Sequence, residues 1–193
     1  DHISYYNLIY EPGTPLTRDK EEGKLSLLSD DDEASLYDKI SSRLQSAGYV
    51  HYETSNFSKK KQECTHNINY WKGGEYFGCG PSAHSHWKGK RYSNIADLKV
   101  YCEKLEQGLS IVNMEECLDQ IPKARETLVM WLRLSEGVAK NEFKEITGLS
   151  IDELYDNEIT DLLGEGLLEW HKDFLRIPRK NRFISNAIYT ALV

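Results

Sequence analysis

The sequence predicts a fold of the α/β class, α+β overall, and three patterns carry that expectation. Two early segments, "DHISYYNLIY" and "YVHYETSNF", are dense in β-forming residues. Between them Leu36, Ile40, Leu44 and Ala47 recur at helical spacing. From about Leu118 onward the apolar residues keep the helical period almost to the end.

Ile3 to Tyr10 is expected to form a largely buried strand, closed by the turn residues Pro12, Gly13, Thr14 and Pro15. Ser29 or Asp30 caps the next helix, and Asp30, Asp31, Asp32 and Glu33 suit the positive end of its dipole. Gly48 stops that helix, and "YVHYETSNF" reads as a second strand with Glu53 as a lone acid near its end. Strand, helix and strand with short links point to a parallel pairing. Residues 58–95 form an irregular stretch, followed by a helix over Ile95 to Glu106 that Gly108 ends. Helices are expected in "LDQIPKARETLVMWLRLSEG", "AKNEFKEITG" and "IDELYDNEITDLLGEG", then a two-stranded element in "LLEWHKDFLRI" and a last helix from Arg179. The expected organisation is therefore 1–57, an irregular motif-bearing segment with a helix over 58–116, and a helical region over 117–193.

Composition narrows the function classes. The 193 residues carry a net charge of -7, which argues against nucleic acid or an anionic membrane surface as a direct partner. The longest notable apolar run, Leu128 to Leu132, is far short of a membrane span. The chain opens inside a strand with no leader pattern, so it reads as part of a longer protein of the cytoplasm. Cys64, Cys79, Cys102 and Cys117 are spaced by 15, 23 and 15 residues, with no CxxC and no zinc spacing, and read as buried, reduced thiols. The helix–turn–helix and hairpin order of 139–177 is that of a winged helix. Its would-be recognition helix, Ile151 to Glu165, has six acidic residues and no Lys or Arg, so a packing role is favoured over DNA binding.

Chemistry concentrates in "THNINYWKGGEYFGCGPSAHSH", residues 65–86, which holds three histidines and four glycines. Imidazole is a good axial ligand for haem iron and aromatic rings pack on a flat macrocycle, so His66, Asn67, Tyr70 and Trp71 form one candidate constellation. The plainer alternative is a histidine bonded to a backbone carbonyl with Tyr70 and Trp71 as core anchors. Gly78 and Gly80 free the backbone for tight turns or close approach. "GCGPSA" formally fits a dinucleotide fingerprint, but Pro81 removes an N–H and no clear helix follows. His84 and His86 make a poor joint metal site, although either can serve as a second ligand or a proton donor.

In this order "YYNLIYEPGTPL", "GYVHYETSNF", "ECTHNINYW" and "YFGCGPSAHSHW" resemble the HemW family of radical-SAM proteins, relatives of the oxygen-independent coproporphyrinogen III oxidases (HemN). The resemblance implies the C-terminal part of a radical-SAM partial (β/α) barrel followed by a helical, winged-helix-like domain. It implies a [4Fe–4S] cluster and S-adenosylmethionine in the full-length protein, on a CxxxCxxC loop and a glycine-rich segment absent from these residues. These residues alone are thus expected to hold no cluster and to perform no radical chemistry. Leu8 is a possible backbone contact for S-adenosylmethionine by the same analogy. "HNINYW" matches the HNxxYW pattern of the HemW branch, which implies a haem role for His66. Expected partners are haem, haem-acceptor proteins and the missing N-terminal half, with peripheral membrane association through partners compatible with the family. The alternatives are an oxidase that decarboxylates coproporphyrinogen III and a non-catalytic interaction module.

Overall fold

A computed structural model describes residues 1–193, and the chain divides into two compact units, Asp1–Glu63 and Cys64–Val193. The elements are mixed α and β, and no sheet closes into a barrel.

In the first unit, β1 (His2–Ser4) leads to α1 (Pro15–Glu21), α2 (Asp30–Ser46), β2 (Val50–Glu53) and β3 (Asn56–Ser58). The Ser29 hydroxyl accepts from the Asp32 amide at 3.2 Å and starts α2, with four carboxylates in its first turn. The sheet order is β1-β3-β2 with antiparallel pairing throughout. β1 and β2 thus run in the same direction, as strand–helix–strand suggests, but β3 lies between them. "YVHYETSNF" is therefore a hairpin and not one strand, because Thr54 and Ser55 turn the chain. The expected strand over Ile3 to Tyr10 also ends early. Pairing stops at Ser4, and Tyr6, Leu8 and Ile9 lie exposed on irregular backbone. β-forming composition alone does not make a strand without a partner to pair with.

Glu53 is not the lone acid of the sequence reading. It is fully buried, and its Oε2 accepts from the Ser55 amide at 3.0 Å and from Asn56 Nδ2. Asn56 Oδ1 accepts in turn from the Ser4 hydroxyl at 2.7 Å, which ties β1 to the hairpin. Phe57 is fully buried under the His51 ring, stacked at 4.0 Å.

The second unit begins with α3 (Thr65–Trp71). It continues through β4 (His84–Trp87), β5 (Lys90–Asn94), α4 (Leu98–Glu106), β6 (Val112–Cys117) and α5 (Gln120–Trp131). β7 (Val138–Ala139), α6 (Lys140–Thr147), α7 (Ile151–Leu154), α8 (Glu158–Gly164), β8 (Glu169–His171), β9 (Phe174–Arg176) and α9 (Ser185–Leu192) complete it. Two antiparallel sheets result, ordered β4-β5-β6 and β7-β9-β8. Residues 58–95 are thus only partly irregular, since α3, β4 and β5 fall within them. α3 is too short for a period to emerge from its sequence, and β4 and β5 alternate polar with polar. Lys88 and Gly89, both at positive φ, make the two-residue turn between them.

α5 organises the core of this unit. Ala124, Leu128 and Trp131 recur along one face, are almost wholly buried, and meet Phe143, Ile151, Leu175 and Ile188. The exposed side of α5 carries Ile121 and the charged side chains that reach the sheet. No helix is long and apolar enough to cross a membrane.

Candidate functional site

The motif helix α3 is seven residues long, starts at Cys64 without a side-chain cap, and is held from one side. Ile68 and Trp71 pack against the core cluster around α5. The Arg133 guanidinium lies 4.2 Å over the Trp71 ring, and Tyr70 meets that ring edge-on at 5.2 Å. Helical spacing then divides the motif. Asn67 is half-buried on the Trp71 side, whereas His66 lies one turn before Tyr70 and both are exposed. His66 is therefore not a core histidine. For Trp71 the core-anchor role holds. Its Nε1 is buried and donates to nothing, an uncompensated group of a kind that costs roughly 1–3 kcal/mol.

After α3 the chain turns sharply. Gly73 sits at φ +72, and the Gly74 amide donates to Asn69 O at 2.8 Å. Asn69 Nδ2 donates to Glu75 O at 3.1 Å, so this motif residue anchors the turn. The segment then runs alongside β4, with Tyr76 and His86 exchanging backbone bonds at 2.9 and 3.0 Å. Gly78 crosses so close to His84 that a Cβ would fall 2.1 Å from the His84 carbonyl oxygen. The two glycines of "GCG" thus have separate reasons: Gly78 for close approach, Gly80 for a φ of +101.

A cavity of about 80 Å³ opens where Tyr70, Tyr76, His86 and Lys123 converge. The Tyr70 and Tyr76 rings meet at a tilt of 42° with centroids 5.0 Å apart, and their hydroxyls share a hydrogen bond. Burial, and then the bond from Tyr70, push the Tyr76 phenol up to about 12, so it stays protonated. His86 Nδ1 donates to Gly74 O at 3.1 Å, which leaves Nε2 for another group. Arg91 reaches from β5 to Glu116 on β6 and Glu126 on α5. Burial works against its charge, but the two carboxylates outweigh that and raise its pKa.

His84 and His86 are alternate residues of one strand and share a face, yet His84 is exposed while His86 turns into the cavity. No three His, Cys, Asp or Glu side chains converge to hold a metal ion. The thiols are not the buried groups the sequence suggests: Cys79, Cys102 and Cys117 are exposed and Cys64 is half-buried. They lie on different elements, so a [4Fe–4S] cluster does not fit these residues. Sequence reasoning missed Tyr76, Arg91, Lys123 and Glu126, since no motif links residues brought together from three elements.

Comparison with known proteins follows the same lines. Residues 118–184 match the HemN C-terminal domain family. Heme chaperone HemW of Bacillus subtilis (strain 168) is 30% identical over 194 residues, covering 100% of this chain and 51% of that protein. Heme chaperone HemW of Mycobacterium tuberculosis (strain ATCC 25618 / H37Rv) is 32% identical, with 100% and 47% covered. A radical S-adenosyl methionine domain-containing protein 1, mitochondrial, of Danio rerio is 33% identical over 152 residues, with 75% and 34% covered. Among solved structures, coproporphyrinogen III oxidase (HemN) from Escherichia coli, a radical SAM enzyme, superposes with a TM-score of 0.74 at 15% identity, over 100% of this chain and 48% of that one. That likeness is one of fold. The chain spans about half the length of the curated relatives it matches.

Proposed function

We propose, from a chain that belongs to the HemW and HemN family of radical S-adenosylmethionine proteins, that it is the part of a haem-handling protein in which His66 ligates haem iron. The observation that carries the reading is the exposure of His66 on a helix whose opposite face is fixed in the core by Ile68 and Trp71. An axial ligand must reach iron from a position that does not move, and an exposed imidazole on an anchored helix meets both demands. Tyr70, on the same side, supplies a ring for the macrocycle to lie against, and Asn67 supplies a polar group at the helix flank. The orphaned Trp71 Nε1 adds support, since stability forgone within a motif marks it as a place of function. The relatives called haem chaperones suggest that the whole protein passes haem to acceptor proteins. The family implies a [4Fe–4S] cluster and S-adenosylmethionine in that whole protein. A backbone contact from Leu8 to the latter belongs to the same reading.

Haem titration of the full-length protein against His66→Ala tests it. The variant is expected to lose affinity by at least tenfold and to shift the Soret band, and an unchanged band and affinity would remove His66 as ligand. The oxidase alternative draws on fold likeness alone. Turnover of coproporphyrinogen III by the anaerobically reconstituted full-length protein would favour it instead.

A further inference from the structure

We infer that Lys123 and the paired Tyr70 and Tyr76 hydroxyls form a carboxylate subsite beside the motif helix, which takes an acidic side chain of the bound tetrapyrrole. The inference rests on the haem-binding reading and adds the group that orients the ring.

Three cavities meet at Lys123. One is the 80 Å³ cavity with Tyr70, Tyr76 and His86, the second lies against Arg91 and Glu116, and the third, of about 430 Å³, reaches Gln120 and Thr147. Lys123 is half-buried, and its ammonium makes no ion pair, hydrogen bond or ring contact. Neighbouring cations are all committed. Arg91 is bound to Glu116 and Glu126, Lys90 to Glu115, and Lys72 to Glu142. The trio of Arg91 and its two carboxylates is bound within itself and satisfies none of the Lys123 donors.

Donors are also in excess around it. The Tyr70 and Tyr76 hydroxyls share one proton between them, so the second is left to donate, and the high phenol pKa of Tyr76 preserves it. His86 spends its one N–H on Gly74 O, so its Nε2 is an acceptor and adds no donor. An ammonium and a phenol proton with no acceptor suit a carboxylate, whose two oxygens accept several bonds.

Size decides which part of a ligand enters. A cavity of about 80 Å³ has room for a carboxylate or two to three waters, and a macrocycle does not fit it. A ligand anchored by its acid at Lys123 therefore keeps its attached flat ring outside the cavity, where the exposed Tyr70 at its rim offers a face to lie against. A porphyrin dicarboxylate has that combination.

The test uses full-length protein and two metal-free probes, protoporphyrin and its dimethyl ester, read by porphyrin fluorescence. Lys123→Gln is expected to weaken the diacid by roughly five- to tenfold, the range for losing one charge-assisted hydrogen bond at a half-exposed site. The same substitution should leave the diester unchanged, and Lys123→Arg should restore the diacid. Lys88→Gln removes an equal charge from an exposed position next to Gly89, which lies beside Lys123, and should change neither. Equal binding of diacid and diester, equal loss of both in Lys123→Gln, or no porphyrin binding at all would each overturn the subsite. Haem affinity that depends on His66 while the probes ignore Lys123 sinks the subsite alone. Lys123-dependent probe binding with haem binding indifferent to His66 supports the subsite and sinks the iron-ligand reading.

Discussion

Replacing Gly78 by alanine puts a methyl carbon 2.1 Å from the His84 carbonyl oxygen and 2.8 Å from its nitrogen, where real contacts stay beyond 3.0 Å. Both obstacles are backbone, so no side chain can swing aside. The strand-like segment 74–80 must retreat from β4 by about 1 Å, which breaks bonds that start near 3 Å. At stake are Tyr76 N to His86 O at 2.9 Å, His86 N to Tyr76 O at 3.0 Å, and Gly78 N to Ser85 Oγ at 3.0 Å. Three bonds at about 1 kcal/mol each give a local loss of about 3 kcal/mol. Amide hydrogen exchange at Tyr76 and His86 reads that loss directly, as a fall in protection of roughly a hundredfold. Gly80→Ala is the control. Its φ of +101 is unfavourable for alanine by about 1–2 kcal/mol, but nothing lies within 4 Å of the new methyl, so the Tyr76–His86 bonds should stay. Exchange at Tyr76 and His86 in Gly78→Ala that matches wild type, or that matches Gly80→Ala, would refute the close-approach argument.

Tyr155 gives the chain an alkaline limit. Its hydroxyl donates to Leu192 O at 2.8 Å, and burial pushes its pKa up to about 12 from 10.0. Because the folded value is the higher one, its contribution is whole below pH 10 and is lost as pH rises towards 12, by on the order of 2 kcal/mol. Urea midpoints measured across that window should fall in wild type and flatten in Tyr155→Phe. Glu53→Ala strands two buried donors, the Ser55 amide and Asn56 Nδ2, and should destabilise the β2–β3 hairpin by about 2–4 kcal/mol. Faster limited proteolysis within residues 50–58 is the readout, and cleavage at the wild-type rate would count against the network.

The long helices were legible because each buries a stripe that repeats. Leu128 and Trp131 recur on the α5 face that fills the core, and Ser29 with its four following carboxylates announces α2. The short elements were not. α3 has two turns, and β4 and β5 present His84, Ser85, Lys90 and Ser93 in place of alternating apolar residues, so the hairpin turn at Lys88-Gly89 went unread. Sequence also could not tell that Tyr6 to Tyr10 leaves the sheet, since strand formation depends on a partner that local composition does not reveal. The site was readable where residues are adjacent, as in "HNINYW". It was hidden where β5 and α5 bring Arg91, Lys123 and Glu126 to Tyr70 across a gap of 21 to 56 positions.

Chemical rescue of the iron ligand tests the central claim most directly. Full-length His66→Gly protein loaded with haem should lose the wild-type Soret band and regain it when free imidazole fills the vacated position. A His66→Gly protein whose haem spectrum already matches wild type, with no response to imidazole, would contradict the assignment.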